Sequence, residues 1–125
     1  CLNDISLLEL LPLATGKNIG IINASPFGSG LLTDRGPADW HPANEKERAI
    51  FLKAAALCKQ YETSIAKLAI QFASQHNAIP TTMFSSSNPL TVLKNIHWSE
   101  EPIDTELLIK VQQILSPVMN KQWGY

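Results

Sequence analysis

The sequence predicts an α/β chain of parallel βα units, and three observations carry that prediction. Residues 19–22 and 79–84 are short apolar runs rich in β-branched or aromatic side chains, the right length for strands and too short for helices. Two segments with apolar residues at helical spacing lie between them. A polar turn and a helix signal follow the second run, an alternation that builds parallel rather than antiparallel sheets.

Taken in order, Asn3 or Asp4 is placed to cap a first helix over residues 6–15, with Leu7, Leu8, Leu10 and Leu11 on one face and Gly16 as its stop. The strand over 19–22 is continuously apolar, which predicts burial on both faces. Residues 23–43 hold Gly28, Gly30, Gly36 and three prolines without periodicity, a loop long enough to predict a functional role. Asn44 with Glu47 three residues on reads as a capping box. The helix it opens carries Ile50, Ala54, Leu57, Cys58 and Tyr61 at helical spacing and reaches about residue 62. Thr63 caps a third helix with the stripe Ile65, Leu68, Ala69, Phe72 and Ala73, and Asn77 is its expected left-handed stop. After the strand over 79–84 comes the turn Ser85-Ser86-Ser87-Asn88, with Pro89 at the first position of a helix reaching about residue 96. A last helix over about 104–115 buries Leu107, Leu108, Val111 and Leu115.

Two complete strands neither close a sheet nor cover its edges. A TIM-type (β/α)8 barrel takes about 250 residues, so 125 residues with two parallel strands and surrounding helices predict a fragment of such a barrel. A start at Cys1 without an initiator methionine fits the same expectation of truncation, with residues 1–125 forming part of one domain.

Composition narrows the partners. Ten Lys+Arg balance eleven Asp+Glu and no basic cluster occurs, so neither nucleic acid nor an anionic membrane is expected. No apolar run approaches the ~18 residues of a membrane span. Cys1 and Cys58 form no disulfide framework or CxxC pair, and His41, His76 and His97 lack metal-ligand spacing; a reduced, cytoplasmic protein without metal is expected.

Two loops are candidates for chemistry. Ala24-Ser25-Pro26-Phe27-Gly28-Ser29-Gly30-Leu31-Leu32-Thr33 follows the first strand, and its glycines, hydroxyl and amides suit close approach of a pyrophosphate; a plain turn is the alternative. Ser85, Ser86, Ser87 and Asn88 lead into a helix N-terminus, with Thr91, Lys94 and Asn95 one turn further on. That arrangement suits an anion, or is an ordinary N-cap. In a parallel barrel both loops stand at the C-terminal ends of neighbouring strands, where this fold places its sites, so together they are able to grip one ligand.

The first loop resembles the Ser-Pro-Leu-x-x-Gly-x-Leu loop of aldo-keto reductases, which follows their seventh strand and holds the cofactor pyrophosphate. Residues 85–95 look like their eighth-strand segment, which meets the adenosine, and Leu2-Asn3-Asp4 with the leucine-rich helix matches the connection after their sixth strand. The resemblance covers essentially the whole chain and the last third or so of that family's domain. It implies a C-terminal barrel fragment whose Ser25, Pro26, Phe27, Gly28, Gly30, Leu31, Ser85, Ser86, Thr91, Lys94 and Asn95 bind the dinucleotide.

Gly36-Pro37-Ala38-Asp39-Trp40-His41-Pro42 is similar to the Gly-Pro-x-x-Trp-His-Pro loop of L-galactose dehydrogenases and related aldose 1-dehydrogenases, which oxidise an aldose at C1 to a lactone. Trp40 and His41 are thus substrate-loop candidates, or a packing anchor and a surface residue. The family's catalytic tyrosine, lysine, aspartate and histidine lie on earlier strands. Tyr61 and Tyr125 stand elsewhere, so no catalytic residue is expected in this chain. Where the family commonly has Gly or Lys, Arg or Gln, and Glu, this sequence has Ser85, Thr91 and Lys94, while Asn95 matches. Without a cation at Thr91 the resemblance implies NAD slightly over NADP. The implied function is the cofactor-binding segment of an NAD(P)-dependent aldose oxidoreductase. The alternative is a catalytically inactive remnant serving binding or assembly, and an incomplete barrel is expected to self-associate through its open faces.

Overall fold

The computed structural model describes residues 1–123. The elements run α1 (Leu7–Gly16), β1 (Ile22–Ala24), α2 (Glu45–Gln60), α3 (Ile65–Ser74), β2 (Thr81–Met83), α4 (Pro89–Glu100) and α5 (Thr105–Leu115), with 3-10 turns at Gly28–Gly30 and Ser116–Val118. β1 and β2 pair in parallel, Ile22 opposite Thr81, Asn23 opposite Thr82 and Ala24 opposite Met83. The helices α2 and α3 form the crossover between them.

Both strands are shorter than their apolar runs, for a local reason. The Ile19 N–H is taken by the Ala14 carbonyl at 2.8 Å in the turn that ends α1, so residue 19 never enters the ladder. Burial on both faces is not what the structure has. Ile22 (62% exposed) and Met83 (55%) lie on an uncovered face, as period-two alternation requires of partners in register. Asn23 and Thr82 lie on the other face. There Asn23 Nδ2 donates to Thr82 Oγ1 at 3.3 Å, and that hydroxyl donates to the Ala73 carbonyl of α3 at 2.7 Å.

The core lies among the helices rather than across the sheet. Phe51, Ala54 and Cys58 of α2 meet Ile65, Leu68 and Ala69 of α3 and Leu107, Val111 and Leu115 of α5, while Leu2, Leu31 and Leu32 fill in from loops. Full burial of each Leu, Ile or Phe is worth about 1.5–3 kcal/mol, so these helices hold the two site loops on a firm base.

Capping decides several boundaries. The Asn44–Glu47 capping box is complete, with Asn44 N–H to Glu47 Oε2 at 2.9 Å and Glu47 N–H to Asn44 Oδ1 at 3.0 Å. Ser64, not Thr63, caps α3, because the Thr63 N–H bonds the Cys58 carbonyl and so belongs to the end of α2, where Glu62 is left-handed. Neither Asn3 nor Asp4 caps α1: the N-cap position is Ser6, whose own backbone is helical, and Asp4 Oδ1 accepts from Ser6 N–H and Oγ–H instead. The left-handed residue after α1 is Asn18 rather than Gly16, and Asn77 is not left-handed. Among the described residues no helix is long and apolar enough to cross a membrane, and no group of three or more His, Cys, Asp or Glu is placed to hold a metal ion.

Candidate functional site

Because β1 and β2 are parallel neighbours, the loops that leave their C-terminal ends emerge side by side. The Ser25 N–H extends the ladder by one bond to the Met83 carbonyl at 3.2 Å, and the Phe27 and Phe84 rings meet edge to face, centroids 6.2 Å apart at 80°. The loop after β1 is compact. Ser25 (φ 56°), Gly28 (53°), Ser29 (51°) and Gly30 (98°) are all left-handed. The N–H groups of Gly28, Gly30, Leu31 and Leu32 bond carbonyls of Ser25, Phe27 and Gly28 within the loop. These amides therefore brace the turn, and hydroxyls rather than a fan of free amides face the cleft.

Gly30 is required by space as well as by φ: a Cβ there would stand 3.1 Å from Pro37 Cα and 3.3 Å from the Gly36 carbonyl. That close approach fastens residues 28–33 to the loop carrying Trp40 and His41. Arg48 fixes the far side of the same loop, its guanidinium donating to the Ala43 carbonyl at 2.8 Å and the His41 carbonyl at 2.7 Å.

Three adjoining cavities follow the strand ends. The first, about 410 Å³, lies between Asn3, Asn23 and Ser25 on one side and His41, Lys121 and Trp123 on the other. The second, about 680 Å³, shares Ala24, Ser25 and Ser29 with the first and adds Pro26, Phe27, Gly30, Trp40 and Ser85. The third, about 550 Å³, shares Phe27, Thr33 and Ser85 with the second and is closed by Ser86, Thr91, Lys94, Asn95 and Trp98. Arg35 and Lys94 line this last cavity with one acidic residue, Asp34, whose carboxylate accepts from Ser64 Oγ at 2.8 Å. Asn88 caps α4 there, accepting from Leu90 N–H at 2.9 Å, so the positive end of a 12-residue helix is directed at the cavity. A groove that is hydroxyl-lined in the middle and cationic at one end suits a long anionic ligand.

Of the residues singled out in the sequence, Ser25, Pro26, Phe27, Gly30 and Ser85 line the middle cavity, Ser86, Thr91, Lys94 and Asn95 the third, and Gly28 the first. The Leu31 side chain is buried in the core and anchors the loop from beneath. Trp40 and His41 part company: Trp40 is 67% exposed on the middle cavity, while His41 is buried, its Nδ1 accepting from Ala43 N–H at 3.1 Å. Burial, then the Arg48 charge, lowers the His41 pKa against a smaller opposing pull from Glu47. Tyr61 ends α2 away from the groove, where Lys110 Nζ lies 2.6 Å from its hydroxyl, and Tyr125 lies outside the described residues.

The sequence reading missed Arg35, Trp98 and the tail residues Lys121 and Trp123. Arg35 sits two positions beyond a loop already suspected, and Trp98 one helical turn from Lys94, whose ammonium lies 4.6 Å from its ring centre. Nothing local marks the tail.

The aldo/keto reductase family model matches residues 1–116. The chain belongs to the aldo/keto reductase family. It is 38% identical over 125 residues to the L-galactose dehydrogenase of Arabidopsis thaliana, a match covering 97% of this chain and 39% of that protein. Identity is 28% over 109 residues with the pyridoxal 4-dehydrogenase of Microbacterium luteolum, covering 84% and 32%. The chain thus spans about two-fifths or less of the length of these family members. The fold matches solved members, the aldo-keto reductase AKR11C1 of Bacillus halodurans in its holo form (TM-score 0.67, 18% identity, 94% of this chain and 40% of that one) and apo form (0.66, 20%, 97% and 43%). At those identities the likeness concerns the barrel fold alone, and it accounts for the open face of β1 and β2 as one that further strands cover in the whole barrel.

Proposed function

We propose that the groove holds a nicotinamide dinucleotide, as part of an oxidoreductase that oxidises an aldose of the L-galactose type at C1 to the lactone. The observation that carries this reading is the continuity of the groove across the ends of two paired strands. Its hydroxyl-lined middle and the cations of its third cavity suit an elongated anionic ligand such as a dinucleotide. When bound, the dinucleotide supplies the hydride acceptor. Ser25, Ser85 and Ser86 would meet its phosphates, and Thr91, Lys94 and Asn95 its adenosine half. The first cavity, with Asn3, Asn23 and His41 in its wall, would take the reacting end and the sugar. Identity to the Arabidopsis enzyme supports the aldose over other aldehydes.

NAD is favoured over NADP, since Thr91 is neutral and Lys94 lies against the Trp98 ring, leaving Arg35 as the cation able to meet a 2′-phosphate. The test is dinucleotide titration of the protein carrying this chain. Asn95→Ala and Ser86→Ala should each weaken binding about 2- to 13-fold, the net worth of one ordinary hydrogen bond; unchanged affinity in both contradicts the reading.

A further inference from the structure

Glu47 is fully used twice over. As the third residue of α2 it closes the capping box through the Asn44 N–H, a role local to its helix. The same carboxylate also takes two donors from 74 and 76 residues away, the Lys121 ammonium on Oε1 and Trp123 Nε1–H at 3.0 Å on Oε2. It is 7% exposed, while the Lys121 side chain is 46% exposed, so the carboxylate end of the ion pair is buried and the ammonium end meets water. Trp123 is boxed in further by the His41 ring, edge-on at 5.6 Å, and by Phe51 at 6.1 Å.

The other end of this tail is tied to the opposite wall of the groove. Asn120 N–H donates to the Asn3 carbonyl at 2.6 Å, and Asn120 Oδ1 accepts from Ile5 N–H at 2.9 Å. The tail therefore runs from the Asn3–Ile5 segment to α2, and Lys121, Gln122 and Trp123 face the first cavity beside Ser25 and Ser29. Among the described residues no helix or strand continues from Met119 onward, so the position of the tail depends on the Asn120 ties at one end and on Glu47 at the other.

We propose that Glu47 is a positioning residue, a latch that holds residues 119–123 as one wall of the first cavity, and that this wall opens without unfolding the helical core. Among the three cavities the strap lines the first alone, so latching acts on that end of the groove. Only the identity of the molecule in that end rests on the function proposed above.

Hydrogen exchange read by mass spectrometry, on the protein carrying this chain, tests the latch. Glu47→Gln retains an acceptor for the Asn44 N–H and so keeps the capping box, while Lys121→Met leaves α2 untouched. Both should speed exchange at the Asn120 and Ile5 amides about tenfold, with α2 and α5 unchanged, and Lys121→Arg should restore the wild-type rate. Unchanged tail exchange in both variants, or loss of protection spread evenly through α2 and α5 in Lys121→Met, overturns the proposal. In steady-state kinetics Glu47→Gln should raise the KM for the aldose with kcat and dinucleotide affinity nearly unmoved, and equal losses in sugar and dinucleotide binding also overturn it. If no aldose is turned over at all, the functional reading fails while the exchange experiment still decides the latch.

Discussion

Phe27, three residues beyond the last paired residue of β1, and Phe84, the first beyond that of β2, meet edge to face at 6.2 Å and so join the two loops that line the groove. The contact turns two separate turns into one rigid wall shared by the middle and third cavities. Such aromatic pairs contribute about 0.5–1.5 kcal/mol beyond the area they bury. Phe84→Ala should weaken dinucleotide binding about three- to tenfold, and a Phe27→Ala, Phe84→Ala double-mutant cycle should return a coupling of that size. Additive losses would show that the rings act separately.

Ser25 is held left-handed at the mouth of the groove. Relief of that strain by glycine is worth about 1 kcal/mol, and glycine's extra chain entropy costs about 0.5–1 kcal/mol, so Ser25→Gly should leave stability nearly unchanged. Dinucleotide affinity should fall all the same, because the hydroxyl is lost. Denaturant melts alongside binding titrations separate the two effects, and an unchanged affinity would remove Ser25 from the site.

Some features set by residues close in sequence were legible, the caps and stops of α1 and α3 excepted, and those set across long separations were not. The capping box of Asn44 and Glu47 and Pro89 at the start of α4 depend on neighbours within three positions, and each forms as the sequence implies. Thr63 and Ser64 are chemically alike at a junction, and the choice fell to the Cys58 carbonyl, which claims the Thr63 N–H. The apolar run at 19–22 reads as strand, but the turn from α1 removes its first residue from pairing. Both loops that line the cavities stand out in the sequence because glycine, serine and proline punctuate them. The second role of Glu47 was not, since its partners lie 74 and 76 residues away and a capping glutamate already has a local explanation.

Acid should loosen the tail before the core. The Lys121 and then the Trp123 hydrogen bonds hold the Glu47 carboxyl down to about 2 from its ordinary 4.5. A carboxyl lowered in the folded state stabilises fully above 4.5, and that contribution is lost as pH falls toward 2. His41, lowered from 6.5 by burial and Arg48, acts in the same direction: its neutral form is the folded one, and its stabilisation fades as pH falls below 6.5 through its folded pKa. Its Nδ1 loses the Ala43 N–H on protonation. Tail exchange followed from pH 7 downward should therefore quicken below 6.5 in wild type, and His41→Gln should delay the onset until Glu47 titrates. Tail exchange that, corrected for intrinsic rate, stays flat to pH 3 would contradict this.

Arg35 tests the proposed preference for NAD. If NAD is the ligand, Arg35→Ala should change the ratio of NAD to NADP affinity less than about threefold, since no charge-assisted bond to a 2′-phosphate is lost. NADP binding the wild-type protein more tightly, with the advantage gone in Arg35→Ala, would reverse the preference.

The most direct test of the continuous groove is hydrogen-exchange footprinting of the protein carrying this chain, with and without saturating dinucleotide. Protection should appear together over residues 25–33 and 85–95, at the same ligand concentration. Protection of one loop alone, or of neither, would contradict a single ligand lying across both strand ends.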